Sequence, residues 1–301
     1  MEKSWTGRNF GHQWGHAFFY TLVRWGGRRW AQPLAYFFLY FVVLFYLVFV
    51  PGVKSNCRPY LRRRFPRAGV WKQNLHAYRL VLNQAKVLVD RAILGILGPG
   101  AIGAYFETPE DVQKLKSLDS GFVLLMSHVG GWQVALPALG ELNRRVHLLM
   151  LQKGEDVNRH FQAGEALNII NPDQFLGGTL EMMAALKKNE VVSVMGDRLF
   201  GNPTFSLDLS FMGKPARFPV TAFKLAEAAQ KPLVIVTTRK TGPRDYAIRV
   251  QEIMDIPKLK GRGMEKFRPF AQTYVGILND YVRESPHQFF NFFDIWEQSD
   301  A

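Results

Sequence analysis

One stretch limits what this chain can become. From Leu34 to Val50 it reads LAYFFLYFVVLFYLVFV, seventeen residues without a charge. As a helix this run reaches about 25 Å, slightly short of a hydrocarbon core of about 30 Å. Phe, Tyr, Val and Leu distributed all round a helix suit lipid, whereas a helix on a soluble domain keeps one polar face. The run can span a locally thinned bilayer, enter as a re-entrant or deeply interfacial segment, or lie as a buried helix in a soluble core. A secretory signal fits poorly, because Phe49-Val50-Pro51-Gly52 makes a weak cleavage site.

The flanks of that run agree with a membrane. Trp5, Trp14, Trp25 and Trp30 stand among Arg8, Arg24, Arg28 and Arg29, a mixture suited to headgroup depth. Lys54, Arg58, Arg62, Arg63, Arg64, Arg67 and Lys72 follow, a denser basic cluster that places everything after residue 53 on the cytoplasmic side. This gives an interfacial amphipathic segment over 1–32, a membrane anchor helix over 33–53 and a catalytic domain over 54–301. A net charge of +13 and a pI near 9.9 call for an anionic partner. Anionic membrane lipids fit. A nucleic-acid partner is excluded as the main reading, because no binding motif follows the arginines. His12 and His16 have no third ligand nearby, and the single Cys57 forms no internal disulfide.

Beyond residue 70 the pattern changes to alternating strands and helices. Residues 71–97 are amphipathic. Gly98-Pro99-Gly100-Ala101-Ile102-Gly103 matches the dinucleotide fingerprint in letters, but helical sequence precedes it and the next helix begins only at Thr108-Pro109-Glu110-Asp111, so it reads as a loop. Buried strands are expected at Phe122–Met126, Val146–Leu151, Val191–Met195, Leu233–Thr238 and Tyr246–Val250. Helices are expected at Trp132–Asn143, Asn158–Ala166, Thr179–Lys187, Phe218–Ala229 and Glu265–Arg283. The fold class is α/β with a mostly parallel central sheet flanked by helices.

Chemistry has few places to reside. GxSxG, Walker, HExxH and Cys/His ligand patterns are all missing from the sequence, so serine hydrolase, nucleotidase and zinc-enzyme readings lack support. The segment Gly121–Leu139 ends a strand in Ser127-His128, breaks at Gly130-Gly131 and turns into a helix whose positive end favours a neutral imidazole. Asp197-Arg198 ends another strand and could converge on it. Lys153, Asn158 and Arg159 form a secondary set.

With these residues stated, the chain resembles the lauroyl/myristoyl acyltransferases of lipid A biosynthesis, and more closely the aryl-polyene-associated branch. The resemblance rests on Gly26–Arg29, Arg58–Arg64 with Tyr60-Leu61, and Ser127-His128-Val129-Gly130-Gly131-Trp132-Gln133. It continues through Asp197-Arg198, Phe211-Met212-Gly213-Lys214-Pro215-Ala216 and Pro286-His287-Gln288-Phe289-Phe290-Asn291-Phe292. It implies a lysophospholipid-acyltransferase-like fold on the bacterial inner membrane, with the catalytic domain on the cytoplasmic face. Such an enzyme takes an acyl chain from an acyl carrier protein or coenzyme A thioester and passes it to a hydroxyl or amine of a lipid acceptor. It uses no cofactor and no metal.

The resemblance makes His128 the general base. The family carries Asp or Glu five residues after that histidine, where this chain has Gln133. The Gln133 carbonyl can accept the Nδ1 proton but brings no charge, which Asp197 could supply. Arg198, Lys153, Asn158, Arg159, Lys214 and Arg217 are the substrate-binding candidates, chiefly for phosphate. The Gly130 and Gly131 amides are candidates for the oxyanion. The reading from another class is a catalytically inactive, membrane-tethered lipid-binding or scaffold protein.

Overall fold

Seven strands assemble into one sheet that carries everything else. The computed structural model describes residues 13–98, 100–150, 167–173, 178–199, 203–261 and 263–296. The chain opens with three helices, α1 (Gln13–Phe49), α2 (Pro51–Arg64) and α3 (Val70–Leu97). Strands and helices then alternate: β1 (Gly103–Phe106), α4 (Pro109–Lys116), β2 (Phe122–Met126), α5 (Trp132–Ala135), β3 (Val146–Leu149), β4 (Leu167–Ile170), α6 (Thr179–Lys187) and β5 (Val191–Met195). A hairpin of β6 (Ser206–Phe211) and β7 (Lys214–Pro219) follows, then α7 (Thr221–Ala229), β8 (Leu233–Lys240), β9 (Asp245–Met254) and α8 (Arg268–Glu284).

The large sheet runs β1-β9-β8-β2-β5-β3-β4. β8, β2, β5, β3 and β4 are mutually parallel, while β9 pairs antiparallel with β8 and carries β1 alongside it. The expected α/β class with a mostly parallel sheet is therefore what forms. β2 lies in the middle, and all five of its residues, Phe122 to Met126, are buried. Strands covered on both faces must be apolar throughout, which is why these runs were continuous rather than alternating.

Two expected elements differ, and two strands form that were not expected. Trp132–Asn143 is one turn of α-helix followed by a 3-10 segment, Leu136–Leu142, with Pro137 at its start. Phe218 begins no helix, because Lys214–Pro219 folds back on Ser206–Phe211. Met212 and Gly213 turn the chain there with φ of 52° and 77°, the two positive angles a tight hairpin turn demands. The strands β1 and β4 lie at opposite edges of the sheet and were not foreseen. The expected helix Asn158–Ala166 falls outside the described residues.

The apolar run lies within α1, which continues unbroken across the expected 32/33 boundary and is kinked instead at Gly27. Arg29–Phe49 is long and apolar enough to cross a membrane. One face of it is nonetheless buried on the domain: Ala31, Ala35, Leu39 and Val43 are each 5% exposed or less. Phe37, Phe41, Leu44, Phe45, Val48 and Phe49 look outward.

Candidate active site

Two neighbouring strands deliver the site. β2 and β5 pair with Met126 opposite Met195, and the Gly196 amide extends the ladder onto the Met126 carbonyl at 2.9 Å. The second residue past each strand end therefore sits at the same height. His128 Nδ1 lies 2.9 Å from Asp197 Oδ1, and the His128 backbone amide donates to Asp197 Oδ2 at 3.0 Å. An ionised carboxylate only accepts, so Nδ1 carries the ring proton and Nε2 is left with its lone pair. Among the described residues no hydrogen bond reaches Nε2. The His128 side chain keeps 19% of its surface exposed, whereas Asp197 is fully enclosed.

Electrostatics favour a neutral ring beside a charged carboxylate. Burial pushes the His128 imidazole below the ordinary histidine value and the Arg198 cation adds to this, against a weaker opposing pull from Asp197. For Asp197, burial alone would raise the carboxyl. The His128 ring and Arg198 outweigh it and hold the group below the usual carboxylate range. A general base must be unprotonated at working pH, and this pair meets that condition.

The loop that presents His128 is held from two sides. Thr238 of β8 donates its hydroxyl to the Val129 carbonyl at 2.6 Å, and Tyr281 of α8 fixes the Thr238 carbonyl at 2.9 Å. The segment 288–290 lies along the loop as a strand-like partner, with Val129 bridged to Phe289. The Phe290 amide donates to His128 O at 2.9 Å, and the Gly130 amide donates to Gln288 O at 2.8 Å. Gly130 has a φ of 62°, and a Cβ there would stand 1.8 Å from the Thr238 carbonyl oxygen. No other residue fits.

Residues 101–298, about two thirds of the chain, match a family model described as bacterial lipid A biosynthesis acyltransferase. The chain belongs to that family. Both members of the His128–Asp197 pair lie inside the match. A comparison with curated proteins finds no match. Among solved structures the chain is similar to the crystal structure of the 1-acyl-sn-glycerophosphate (LPA) acyltransferase PlsC from Thermotoga maritima. The identity is 15%, covering 85% of this chain and 98% of that one, with a TM-score of 0.39.

In this acyltransferase the other expected site residues divide sharply. Arg198 stands beside the pair, with its Nη2 donating to the Phe290 carbonyl at 2.8 Å, so at least one arm braces the loop partner. Gln133 does not reach the imidazole. Its Oε1 accepts from Arg91 Nη1 of α3 at 2.7 Å, and Asp197 holds the Nδ1 position expected of it. The chain passes two left-handed glycines before α5 begins, which turns residue 133 toward α3 rather than toward the ring.

The oxyanion expectation for Gly130 and Gly131 is also corrected. The first amide is given to Gln288 O and the second donates to Val129 O at 2.6 Å, so neither points at a substrate. Lys214 and Arg217 stand on the separate β6–β7 hairpin, where Arg217 Nε pairs with Asp208 Oδ1 at 3.0 Å. Lys153, Asn158 and Arg159 lie outside the described residues. Sequence reasoning missed Tyr274, whose buried hydroxyl is 2.6 Å from Ser127 Oγ next to the dyad. It also missed Arg91. Each sits within a helix with no local signal of function.

Proposed function

We propose that this acyltransferase moves a fatty acyl chain from an acyl-carrier-protein or coenzyme A thioester onto a hydroxyl or amine of a membrane lipid, with His128 as general base. It acts at the bacterial inner membrane with its catalytic domain on the cytoplasmic face. The observation that carries the chemistry is the 2.9 Å contact from Nδ1 to Asp197, which leaves the Nε2 lone pair of a partly exposed ring as the basic site.

Nε2 takes the proton of the acceptor as its oxygen or nitrogen attacks the thioester carbonyl. The tetrahedral adduct collapses, the C–S bond breaks, and the imidazolium returns its proton to the departing thiolate. Asp197 stabilises the imidazolium in between, and no cofactor enters. Arg198 lies near enough to depress the His128 ring, so its charge also reaches the place where negative charge builds on the attacked carbonyl. The acceptor is a lipid, and the basic surface after residue 53 suits an anionic headgroup and an acidic carrier protein alike.

Replacing His128 by Ala tests the reading. Thiol release from an acyl thioester in the presence of lipid acceptor should drop to background, while binding to vesicles stays as in the parent. Retained transfer by the folded variant would remove His128 from the mechanism. Vesicle binding without transfer in the parent itself, across acyl donors, would favour the inactive lipid-binding reading.

A further inference from the structure

The folded domain grips the start of the apolar helix α1 and, beyond its far end, the helix α2 that follows it. At the start of the run, Gln32 Nε2 donates to Asp90 Oδ1 at 2.8 Å and the Tyr36 hydroxyl donates to Asp90 Oδ2 at 2.7 Å. Arg244, in the turn between β8 and β9, reaches Gln32 Oε1 and the Arg29 carbonyl, both at 3.1 Å. Past the far end, the Tyr60 hydroxyl of α2 donates to Pro286 O at 2.7 Å, and Arg64 Nε donates to Val282 O at 2.7 Å. Between these ties the inner face packs on protein, with Ala35, Leu39 and Val43 buried.

A helix that crosses a bilayer delivers its two ends to opposite sides. One domain cannot hold both ends unless it enters the hydrocarbon with the helix. The partner that would have to enter is α3, which runs antiparallel along α1: Asp90 meets Gln32 and Tyr36, and Tyr78 donates to the Tyr40 carbonyl. α3 carries Lys72, Arg79, Lys86 and Arg91. Four cations and the fully buried Asp90 do not follow into lipid.

We infer that α1 does not cross the membrane. It lies in the plane of one leaflet of anionic phospholipid, sinking its outer stripe of Phe37, Phe41, Leu44, Phe45, Val48 and Phe49 while its inner stripe remains on the domain. The stripe is aromatic and continuous for about three turns. Its edge is basic. Arg58, Arg62, Arg67 and Lys72 are exposed beyond the end of α1. Trp71, 88% exposed, stands at the start of α3, which the antiparallel course brings to the Phe45–Phe49 end. An apolar stripe bordered by cations and an exposed Trp fits a headgroup boundary. This placement goes beyond the catalytic reading and does not need it.

Side-specific labelling decides the matter. Single cysteines replace Arg24 and Arg62, exposed residues before and after the apolar run. The native Cys57 stays silent, because it is buried and its thiol is pushed up to about 12. A membrane-impermeant maleimide is applied to sealed right-side-out and inverted vesicles, with detergent-solubilised protein as the reactivity control. Both cysteines should label from the same side. Labelling from opposite sides overturns the inference, as does a cysteine that reacts in detergent and from neither side of the membrane. Phe41→Asp with Phe45→Asp should lower partition onto anionic vesicles by about a hundredfold, and unchanged partition by this folded variant would equally overturn it. Both readouts are independent of acyl transfer, so loss of the catalytic reading would leave them intact.

Discussion

Substituting Asp197 by Asn separates the structural account of the dyad from the one based on sequence spacing. The carboxylate accepts twice, from the ring Nδ1 at 2.9 Å and from the His128 amide at 3.0 Å. An amide of the same shape has one accepting oxygen and one donating nitrogen. If the oxygen keeps the backbone amide, the new NH2 faces Nδ1 and forces the ring proton onto Nε2, where the base is lost. If the oxygen keeps Nδ1, two donors confront each other at the backbone. In a serine-protease triad the same change costs about 10⁴ in rate. A thioester is a more reactive acyl donor than a peptide, so a kcat loss of about 10²–10⁴ is expected, or about 3–5.5 kcal/mol. The assay is thiol release at saturating donor and acceptor, with the fold checked by thermal melting and the tautomer read from ring-nitrogen NMR. A folded Asp197→Asn variant within tenfold of the parent would refute the assignment of Asp197 as the partner that orients the base.

Gln133→Glu puts a carboxylate on α5, but Arg91 already holds that position at 2.7 Å. The kcat should move less than about fivefold; a gain of orders of magnitude would mean that residue 133 does serve the ring. With neutral His128 as the proposed base and its pKa lowered by burial, kcat/KM should hold through pH 6.5 and fall about tenfold per unit below a pKa under 6.5. The unfolded chain binds the extra proton first, so the His128 contribution to stability is present above pH 6.5 and lost as pH falls toward the folded pKa. A limb centred above 6.5 would contradict the burial argument. Gly130→Ala meets both a φ of 62° and a carbonyl at 1.8 Å. It should cost about 3 kcal/mol or more, a melting temperature about 5 °C lower, and a shift of under 2 °C would show that the loop can relax.

The sequence was most informative where burial leaves no choice. β2 and β5 are continuous apolar runs, and both strands end where the runs end, at Met126 and Met195. The histidine and aspartate were legible for the same reason, since residues just past buried strands face the ligand side of a parallel sheet. Their meeting was not legible, because it depends on β5 being the neighbour of β2 when two other strands intervene in the chain. The fate of the glycine amides depends on residues 288–290, which return from the far end of the chain to claim the first of them. The short edge strands β1 and β4 bury only part of their surface and carry no clear pattern. The apolar run announced lipid, but Asp90, Lys240 and Tyr246, which fix its inner face through Gln32 and Tyr36, are scattered over the chain.

In the proposed dyad the charge beside His128 comes from β5 and not from the helix after the loop. A carboxylate on the helix after the loop would place the orienting group on α5, a single turn whose entry is set by two left-handed glycines. Asp197 sits instead at the end of β5, which is locked to β2 by five consecutive residue pairs and flanked by buried side chains. The distance between the imidazole and the carboxylate is then fixed by the register of two paired parallel strands. Position 133 is thereby released to take Arg91, tying the loop to α3, and α3 is the helix that grips α1 through Asp90. The same helix that packs against the exposed apolar stripe of α1 thus touches the first turn beyond the loop that presents His128. Loosening the Arg91–Gln133 contact should disturb placement of the acceptor more than the chemistry of the base.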